Sequence, residues 1–375
     1  MRLVFAALLI LHGAIHLPGF VKGLGLATVP QLRAPITARE GWWWLGVALL
    51  LAVTAALWLA SSRYWPWVAV IAVLLSQALI LRSWSDARAG TLVNIVILIP
   101  TVLGIAEFRA GSLRSVFERE AARLVAISAA PHVLVADSDL ASLPPVVQRY
   151  LRRAGIVGQP RVRNFHLTFD VQMRGGPDEP WFHGTAEQYE SFHPPVRLFY
   201  MKASRTGVPF DGLHRYAGDA ATMDIRLLGL YRVQYLAGAE MTRSETVTLL
   251  NDMCLLAPAA LLEVPVVWEP IDERSVRARF TNAGHTVEAI LTIDAQGDLV
   301  NFTSEDRSRA IDGGMVRLPF ATPVRRVGPM GGARVVVDGD ATYTEDGRAW
   351  SYGRFVLTSL AYNVTAARGS GLPDR

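Results

Sequence analysis

Hydrophobic residues are unevenly spread along the chain, and their pattern changes near residue 108. Four apolar runs occupy residues 3–17, 42–60, 65–81 and 91–106. A helix needs about 20 residues to cross a bilayer, and the runs reach this length once flanking aromatic and glycine residues are included. Tryptophans stand at the ends of the runs, where interfacial anchors belong: Trp42, Trp43, Trp44, Trp65, Trp67 and Trp84. We predict four transmembrane helices in residues 1–108, with three as the alternative.

Beyond residue 108, polar residues interrupt the apolar positions. Residues 115–130 place apolar side chains at helical spacing, and prolines open a short helix within residues 142–151. These two segments predict linker helices in residues 109–159. From residue 161 apolar and polar residues alternate, which predicts strands at residues 165–173, 181–189, 196–201, 275–282, 286–293, 299–302, 334–343 and 349–357.

Short polar turns separate neighbouring strands, for example residues 294–298 between two strands of the second half. Turns of this length join antiparallel neighbours. We therefore predict a curved antiparallel sheet over residues 160–364, followed by a disordered tail at residues 365–375.

One segment, residues 244–262, breaks the alternation because it is very apolar and its pattern indicates a helix. Ser244 is a suitable helix cap, and Glu245 would then lie in the first turn, where a carboxylate is favourable. Asn251, Asp252 and Pro258 make the segment a poor membrane span. We predict a helix, or a pair of helices, that plugs the concave face of the sheet.

Charge follows the same division of the chain. Residues 1–108 carry seven basic and three acidic side chains, whereas residues 109–375 carry 30 of each. The calculated pI of about 9.4 therefore reflects the apolar part and does not indicate nucleic-acid binding. Basic residues divide six to five between the two sides of a four-span bundle, which favours cytoplasmic termini only slightly.

The sequence carries no known catalytic motif, which favours a protein without enzymatic activity. Cys254 is the only cysteine, so an internal disulfide and a CxxC site are excluded, and we expect a buried small side chain there. The histidines after residue 108 show no metal-ligand spacing: His132, His166, His183, His193, His214 and His285. We therefore expect no metal site there, and because no P-loop or dinucleotide-binding turn occurs either, we expect no cofactor.

Two histidines lie inside the first apolar run. His12 and His16 are four residues apart and project from one helix face, a spacing that suits metal or haem ligands. Alternatively, two neutral imidazoles bond backbone carbonyls. Asp86 and Arg88 connect the third and fourth runs, where they could bind a phosphate headgroup or simply face water.

Two further clusters could line a pocket. The first lies on two neighbouring predicted strands, at Trp181, Glu187, Tyr189 and Arg197, and the second comprises Asp224 and Arg226 near Tyr216. A carboxylate, an arginine and aromatic rings can hold a polar headgroup while apolar walls hold a tail. Ordinary cross-strand pairing on the solvent face is the alternative. The ligand-binding candidates are Trp181, Glu187, Tyr189, Arg197, Tyr216 and Arg226.

The order of strands, apolar helical plug, hairpin and final strands over roughly residues 160–360 resembles the lipoprotein-carrier (LolA/LolB-like) half-barrel superfamily. The whole chain also resembles an uncharacterised bacterial membrane-protein family in segments 11–17, 84–91, 143–155 and 226–230. The first resemblance implies a concave face that can hold acyl chains. The expected fold class is thus an α-helical transmembrane bundle followed by an α+β domain with a curved antiparallel half-barrel sheet and an apolar helical plug.

Three functional hypotheses follow. The first is a membrane-tethered module in the bacterial inner membrane that binds a lipid or another hydrophobic ligand. The second is a membrane oxidoreductase or a quinone- or haem-binding protein, whose site would comprise His12, His16, Asp86 and Arg88. The third is a structural or sensory membrane protein without a small ligand.

Overall fold

The computed structural model describes residues 2–128, 133–311 and 314–367. These residues form two compact units, 2–115 and 116–367. His132 and the part of the predicted tail from residue 368 onward lie outside the described residues.

The first unit is helical. Four helical segments are long and apolar enough to cross a membrane. The fourth of them is Gly90–Ile127, and its first part is α5. Many large apolar side chains on these helices point outward, which is typical of helices that face lipid. The helices are α1 (Arg2–Gly23), α2 (Ala38–Leu59), α3 (Trp65–Arg82), α4 (Trp84–Ala87) and α5 (Gly90–Phe108).

Small residues let α1 and α2 approach each other closely. Gly19 lies against the indole ring of Trp44, and Gly23 lies against the backbone of Gly41. Contacts of this kind are typical of packed membrane helices. A reciprocal pair of hydrogen bonds between Thr37 and Glu40 caps the start of α2.

The second unit combines helices with a large antiparallel sheet. Its helices are α6 (Leu113–Ile127, whose first three residues belong to the first unit), α7 (Pro145–Arg153) and α8 (Ala239–Leu256), with 3₁₀ turns at Asp137–Leu140 and Pro258–Leu262. The strands of the first half are β1 (Asn164–Met173), β2 (Phe182–Phe192), β3 (Pro195–Arg205), β4 (Val208–Ala217), β5 (Ala220–Leu227) and β6 (Tyr231–Leu236).

The second half of the unit contributes ten more strands. They are β7 (Val266–Pro270), β8 (Ser275–Asn282), β9 (His285–Ile293), β10 (Leu299–Ser304), β11 (Ser308–Ile311), β12 (Gly314–Arg317), β13 (Phe320–Ala321), β14 (Val324–Met330), β15 (Ala333–Glu345) and β16 (Arg348–Tyr362).

The main sheet is open. Its order is β6-β5-β4-β3-β2-β1-β16-β15-β13-β10-β9-β8-β7, with β14 beside β15, while β11 and β12 form a separate pair. Strands β1 to β6 follow one another as hairpins, whereas β1 pairs with β16 from the far end of the unit. The predicted fold class is confirmed: four apolar helices precede an open antiparallel sheet that carries a mostly buried helix.

That helix, α8, differs from the prediction in where it begins. It starts at Ala239 rather than at Ser244, and Glu245 lies inside the helix instead of in its first turn. The carboxylate of Glu245 is buried and ion-paired, so its position is set by tertiary contacts and not by the helix dipole. The helix packs against β5, β8, β9, β10 and β15, and the 3₁₀ turn Pro258–Leu262 follows it.

Both faces of the sheet are covered at β2 and β3, where buried residues follow one another without alternation. Phe117 of α6 packs against the rings of Tyr189 and Tyr200, with ring centroids 5.7 and 5.6 Å away. Gln188 and Phe199 instead line a cavity on the opposite face, where α8 lies.

Candidate functional site

A cavity of about 140 Å³ lies between α8 and the sheet. Its apolar wall includes Phe169, Met173, Leu255 and Phe355, which β1, α8 and β16 contribute. Polar side chains also reach the cavity, mainly from α8 and from β2, β3 and β4. A concave, largely apolar space with a few convergent polar groups is the usual form of a ligand site.

Arg197 ties the sheet to α8 at one side of this cavity. Its Nε donates to Oδ2 of Asp252 at 2.6 Å, and its Nη1 donates to Oε2 of Glu245 at 3.0 Å. Nη2 donates to the side-chain oxygen of Gln188 at 3.3 Å. All three nitrogens of the guanidinium thus have acceptors, so this arginine is already neutralised by the protein.

A second carboxyl group, Glu190, lies directly opposite Arg197 on the β2–β3 pair. Oε2 of Glu190 is 3.8 Å from Nε of Arg197 and accepts a hydrogen bond from Gln188. Burial is the main cause that raises the pKa of Glu190 well above its usual range, and the nearby carboxylate of Asp252 raises it further. Glu190 therefore holds its proton more tightly than an exposed glutamate does.

Glu245 shows the opposite behaviour. Burial alone would raise the pKa of Glu245, but the neighbouring His214 and Arg197 outweigh it and lower the pKa to about 2. Nδ1 of His214 lies 3.1 Å from Oε1 of Glu245, on the carboxylate oxygen that Arg197 does not bind. Glu245 is thus a buried anion with two partners from the sheet.

Arg307, in the link between β10 and β11, also lines the cavity. Its Nη1 donates to the hydroxyl groups of Tyr343 and Tyr352, both at 2.7 Å, and its Nε donates to Thr248 at 3.2 Å. Its guanidinium carbon lies 4.5 Å from the ring centroid of Phe320. Aromatic rings and hydroxyl groups therefore surround this cation.

Of the six residues predicted to bind a ligand, only Arg197 lines this cavity. Glu187 bonds Nε2 of His166 at 3.0 Å, and the ring of Tyr189 lies 4.4 Å from that of His166. Glu187 and Tyr189 alternate along β2 with Gln188, which does line the cavity, so their side chains point to the other face.

The other three predicted residues have separate surroundings. Trp181 lies beneath the guanidinium groups of Arg174 and Arg354, at 4.6 and 4.3 Å. The hydroxyl of Tyr216 bonds Thr246 at 2.9 Å. Arg226 pairs with Asp224 at 2.9 Å. The structure therefore does not bring the six residues together, and their role in binding stays a prediction.

Sequence reasoning missed Arg307 and the polar face of α8. Glu245, Thr248 and Asp252 are spaced three and four residues apart, so they share one side of the helix and line the cavity together. This spacing within an otherwise apolar segment is the signal that could have identified them. Arg307 gave no local signal, because its neighbours in space come from distant segments.

The two histidines of α1 belong to a buried polar network that joins three helices. Nε2 of His12 is 2.9 Å from Oδ1 of Asn94, and Nε2 of His16 is 3.0 Å from the hydroxyl of Ser76. Asn94 in turn donates to Gln77 at 3.0 Å. No group of three or more potential metal-ligating side chains occurs within the described residues.

Asp86 serves a different part of the first unit. Its Oδ2 accepts hydrogen bonds from the backbone nitrogens of Arg33 and Ala34, at 2.5 and 2.7 Å. These two hydrogen bonds lower the pKa of Asp86, and the bond from Ala34 has the larger effect. Arg88 follows α4 directly as its capping residue. Asp86 therefore holds the link between α1 and α2, and its hydrogen bonds do not join it to the histidines.

Comparison with known proteins gives one family match and several distant structural likenesses. A family model described as "Family of unknown function (DUF6544)" matches residues 133–355. The sequence has no match among curated proteins. Three solved structures show what the chain is similar to.

A Vibrio parahaemolyticus domain, described as that of an outer membrane lipoprotein-sorting protein, is 10% identical with a TM-score of 0.34, covering 61% of this chain and 93% of that one. A DUF1329 family protein from Desulfovibrio piger is 11% identical, with a TM-score of 0.34 and coverage of 58% and 92%. The lipoprotein LppX from Mycobacterium tuberculosis is 16% identical, with a TM-score of 0.15 and coverage of 45% and 87%.

Proposed function

The chain belongs to DUF6544, a family of unknown function, and we propose that it is a membrane-anchored protein whose β unit binds a small amphiphilic ligand. The cavity between α8 and the sheet carries this proposal. Its walls are mostly apolar, and charged groups are grouped at defined places rather than spread over the surface. Such a division suits a ligand with an apolar body and one polar end.

The size of the cavity limits the ligand. A volume of about 140 Å³ is close to that of an engineered protein cavity that holds benzene. A ligand enclosed there has on the order of six to ten non-hydrogen atoms. A complete two-chain lipid is larger than this volume. The proposed ligand is therefore either a short amphiphile or a longer molecule of which one end enters the cavity.

Ligand binding in the cavity can be tested with a larger side chain that fills the space. Ala341 of β15 lines the space, so Ala341→Phe should exclude the ligand. Ala220→Phe, at the exposed start of β5, is the matched control. Native mass spectrometry of the full-length protein in nanodiscs should detect a bound small molecule in the wild type and in Ala220→Phe. The molecule should be absent from Ala341→Phe. Absence of any copurified molecule, together with no binding of octanoate or octan-1-ol, would refute the proposal.

For the first unit we propose a multi-pass arrangement in the bacterial cytoplasmic membrane, with the β unit on the cytoplasmic side. Four candidate helices and the six-to-five distribution of basic residues support it. Cys254 is buried, so a cysteine placed at exposed Ser204 can be labelled selectively. Labelling of Ser204→Cys with an impermeant maleimide only after cell lysis is expected, and labelling in intact spheroplasts would place the unit outside.

A second candidate function is quinol binding within the helices. Nε2 of His12 bonds the amide oxygen of Asn94, so Nδ1 of a neutral ring is an acceptor, and it has no partner among the described residues. A quinol hydroxyl could donate to it. Quinone copurifying with the wild type and lost from His12→Phe would support this role, whereas equal quinone content in both proteins would exclude it.

A further inference from the structure

The cavity contains two arginines, and the protein treats them differently. Arg197 is bonded to two carboxylates and an amide oxygen. Arg307 is bonded only to hydroxyl groups. No carboxylate in the described part of the chain lies within ion-pairing distance of Arg307, and Glu245, which acts on it from further away, is already bonded to Arg197 and His214.

The geometry around Arg307 leaves one end of its guanidinium available. Both hydrogens of Nη1 are directed to tyrosine hydroxyls, and the hydrogen of Nε is directed to Thr248. Nη2 has no hydrogen-bond partner among residues 2–128, 133–311 and 314–367. Arg307 lines the cavity, so this unbonded nitrogen is the part of the cation open to a ligand.

The surrounding groups fix the cation in place. Tyr343 accepts from Arg307 and donates its own hydrogen to the backbone oxygen of Ser308 at 3.1 Å. The ring of Phe320 lies against the guanidinium. Tyr352 also lines the cavity, and its hydroxyl can donate to an anion next to Arg307. A fixed cation with a neighbouring hydroxyl is a ready-made oxyanion site.

We infer that the ligand of this cavity is an anionic amphiphile whose carboxylate or phosphate binds Nη2 of Arg307 and the hydroxyl of Tyr352, with its apolar part against Phe169, Met173 and Phe355. This inference rests on the proposed function and adds the class of the ligand. A positive charge in largely apolar surroundings without an adjacent carboxylate is costly, and an oxyanion removes that cost by charge-assisted hydrogen bonds.

Equilibrium dialysis with full-length protein in phosphatidylcholine nanodiscs tests the inference. The probes are octanoate, octan-1-ol with the same chain and a neutral head, and inorganic phosphate as a free anion. We expect the wild type to bind octanoate more tightly than octan-1-ol, and phosphate at least tenfold more weakly than octanoate. Arg307→Met should weaken octanoate binding at least tenfold and leave octan-1-ol binding within twofold.

Matched variants separate the headgroup contact from general damage. Arg309→Met removes a nearby arginine that pairs with Glu345 and does not line the cavity, so octanoate binding should stay within twofold. Tyr352→Phe should weaken octanoate binding about three- to tenfold, and it provides the test if Arg307→Met does not fold.

The binding results distinguish failure of the anionic headgroup from failure of the proposed cavity function. Equal octanoate affinity in wild type, Arg307→Met and Tyr352→Phe, or tighter binding of octan-1-ol, would overturn the anionic headgroup and leave the proposed cavity function standing. Phosphate binding as tight as octanoate binding would overturn the amphiphile and indicate a free anion. Binding of none of the probes by the wild type would count against the proposed function itself.

Discussion

Nε of Arg197 donates a 2.6 Å hydrogen bond to Oδ2 of Asp252, and this bond joins the third strand of the sheet to α8. The same guanidinium also binds Glu245, which lies about two helical turns before Asp252 on α8. A single residue of β3 therefore holds two carboxylates of the helix. Buried ion pairs add little net stability relative to apolar packing, but the loss of one partner leaves the other charge without compensation. The position of α8 therefore depends strongly on Arg197.

Replacing Arg197 with methionine should destabilise the β unit by about 3–5 kcal/mol, because Glu245 and Asp252 would remain buried without their cation. Urea unfolding at constant detergent concentration measures this loss. Arg232→Gln is the control, since Arg232 is half exposed and Asp224 keeps its pair with Arg226, and it should cost less than about 1 kcal/mol. Equal losses in the two variants would contradict the interpretation.

Acid should weaken the attachment of α8 through Glu245. The pKa of this group is lowered to about 2 in the folded protein, so its stabilising contribution is complete above the unfolded value near 4.5 and is lost as the pH falls toward 2. The contribution is on the order of 3 kcal/mol. Glu245→Gln should remove this part of the pH dependence of the melting temperature, while Glu179→Gln in an exposed pair should leave it unchanged.

Glu190 should have the reverse effect at higher pH. The raised pKa of Glu190 means that folding takes up a proton, so its contribution to stability declines as the pH rises above the unfolded value near 4.5. Glu190→Gln keeps the shape of the side chain without this requirement. Its urea midpoint should exceed that of the wild type at pH 7 and approach it at pH 4, and a lower midpoint at pH 7 alone would show that Glu190 is ionised.

Two turn glycines provide a matched test of packing at α7. Gly297 and Gly284 both have positive φ, at 94° and 75°, so alanine is strained at either position. A Cβ at Gly297 would lie 2.9 Å from Cβ of Arg153, whereas Gly284 has open space around it. Gly297→Ala should cost about 1–3 kcal/mol more than Gly284→Ala in urea unfolding. Similar costs would mean that α7 moves easily from the sheet.

Two helix glycines test the contact between α1 and α2. A Cβ at Gly19 would lie 2.3 Å from the indole of Trp44, while a Cβ at Gly46 meets nothing within 4 Å. Gly19→Ala should lower stability by about 1–3 kcal/mol through overpacking. Gly46→Ala should be neutral or slightly stabilising, because alanine favours the helix. Melting in detergent, followed by tryptophan fluorescence, compares them, and an unchanged Gly19→Ala protein would refute the close packing.

Periodicity predicted most elements well because each depends on local pattern. The run at residues 65–81 became α3, and the alternation at 275–282 became β8 with the same bounds. The alternation does not predict β4 to β7 or β11 to β14. In β5 and β6, charged residues such as Asp224 and Arg232 pair with each other across neighbouring strands. Such pairs hide the apolar period and are visible only after the strands are aligned.

The site was harder to predict than the fold. Residues 186–192 of β2 are all buried, so alternation could not show which side faces α8. The sequence therefore favours the carboxylate of Glu187, whereas it is the neighbouring Gln188 that lines the cavity. Arg307 meets Tyr343 and Tyr352 only through the sheet topology, and no local spacing indicates that meeting.

The pairing of β1 with β16 has a consequence for biosynthesis. Phe165 pairs with Tyr362, so the centre of the sheet joins segments that leave the ribosome nearly two hundred residues apart. The hairpins β1 to β6 can form early, but one edge of β1 stays open until β16 emerges. During that interval the nascent chain exposes an unpaired strand edge, which is a site for aggregation or for a chaperone. Translation speed between β6 and β16 should therefore influence the yield of folded protein.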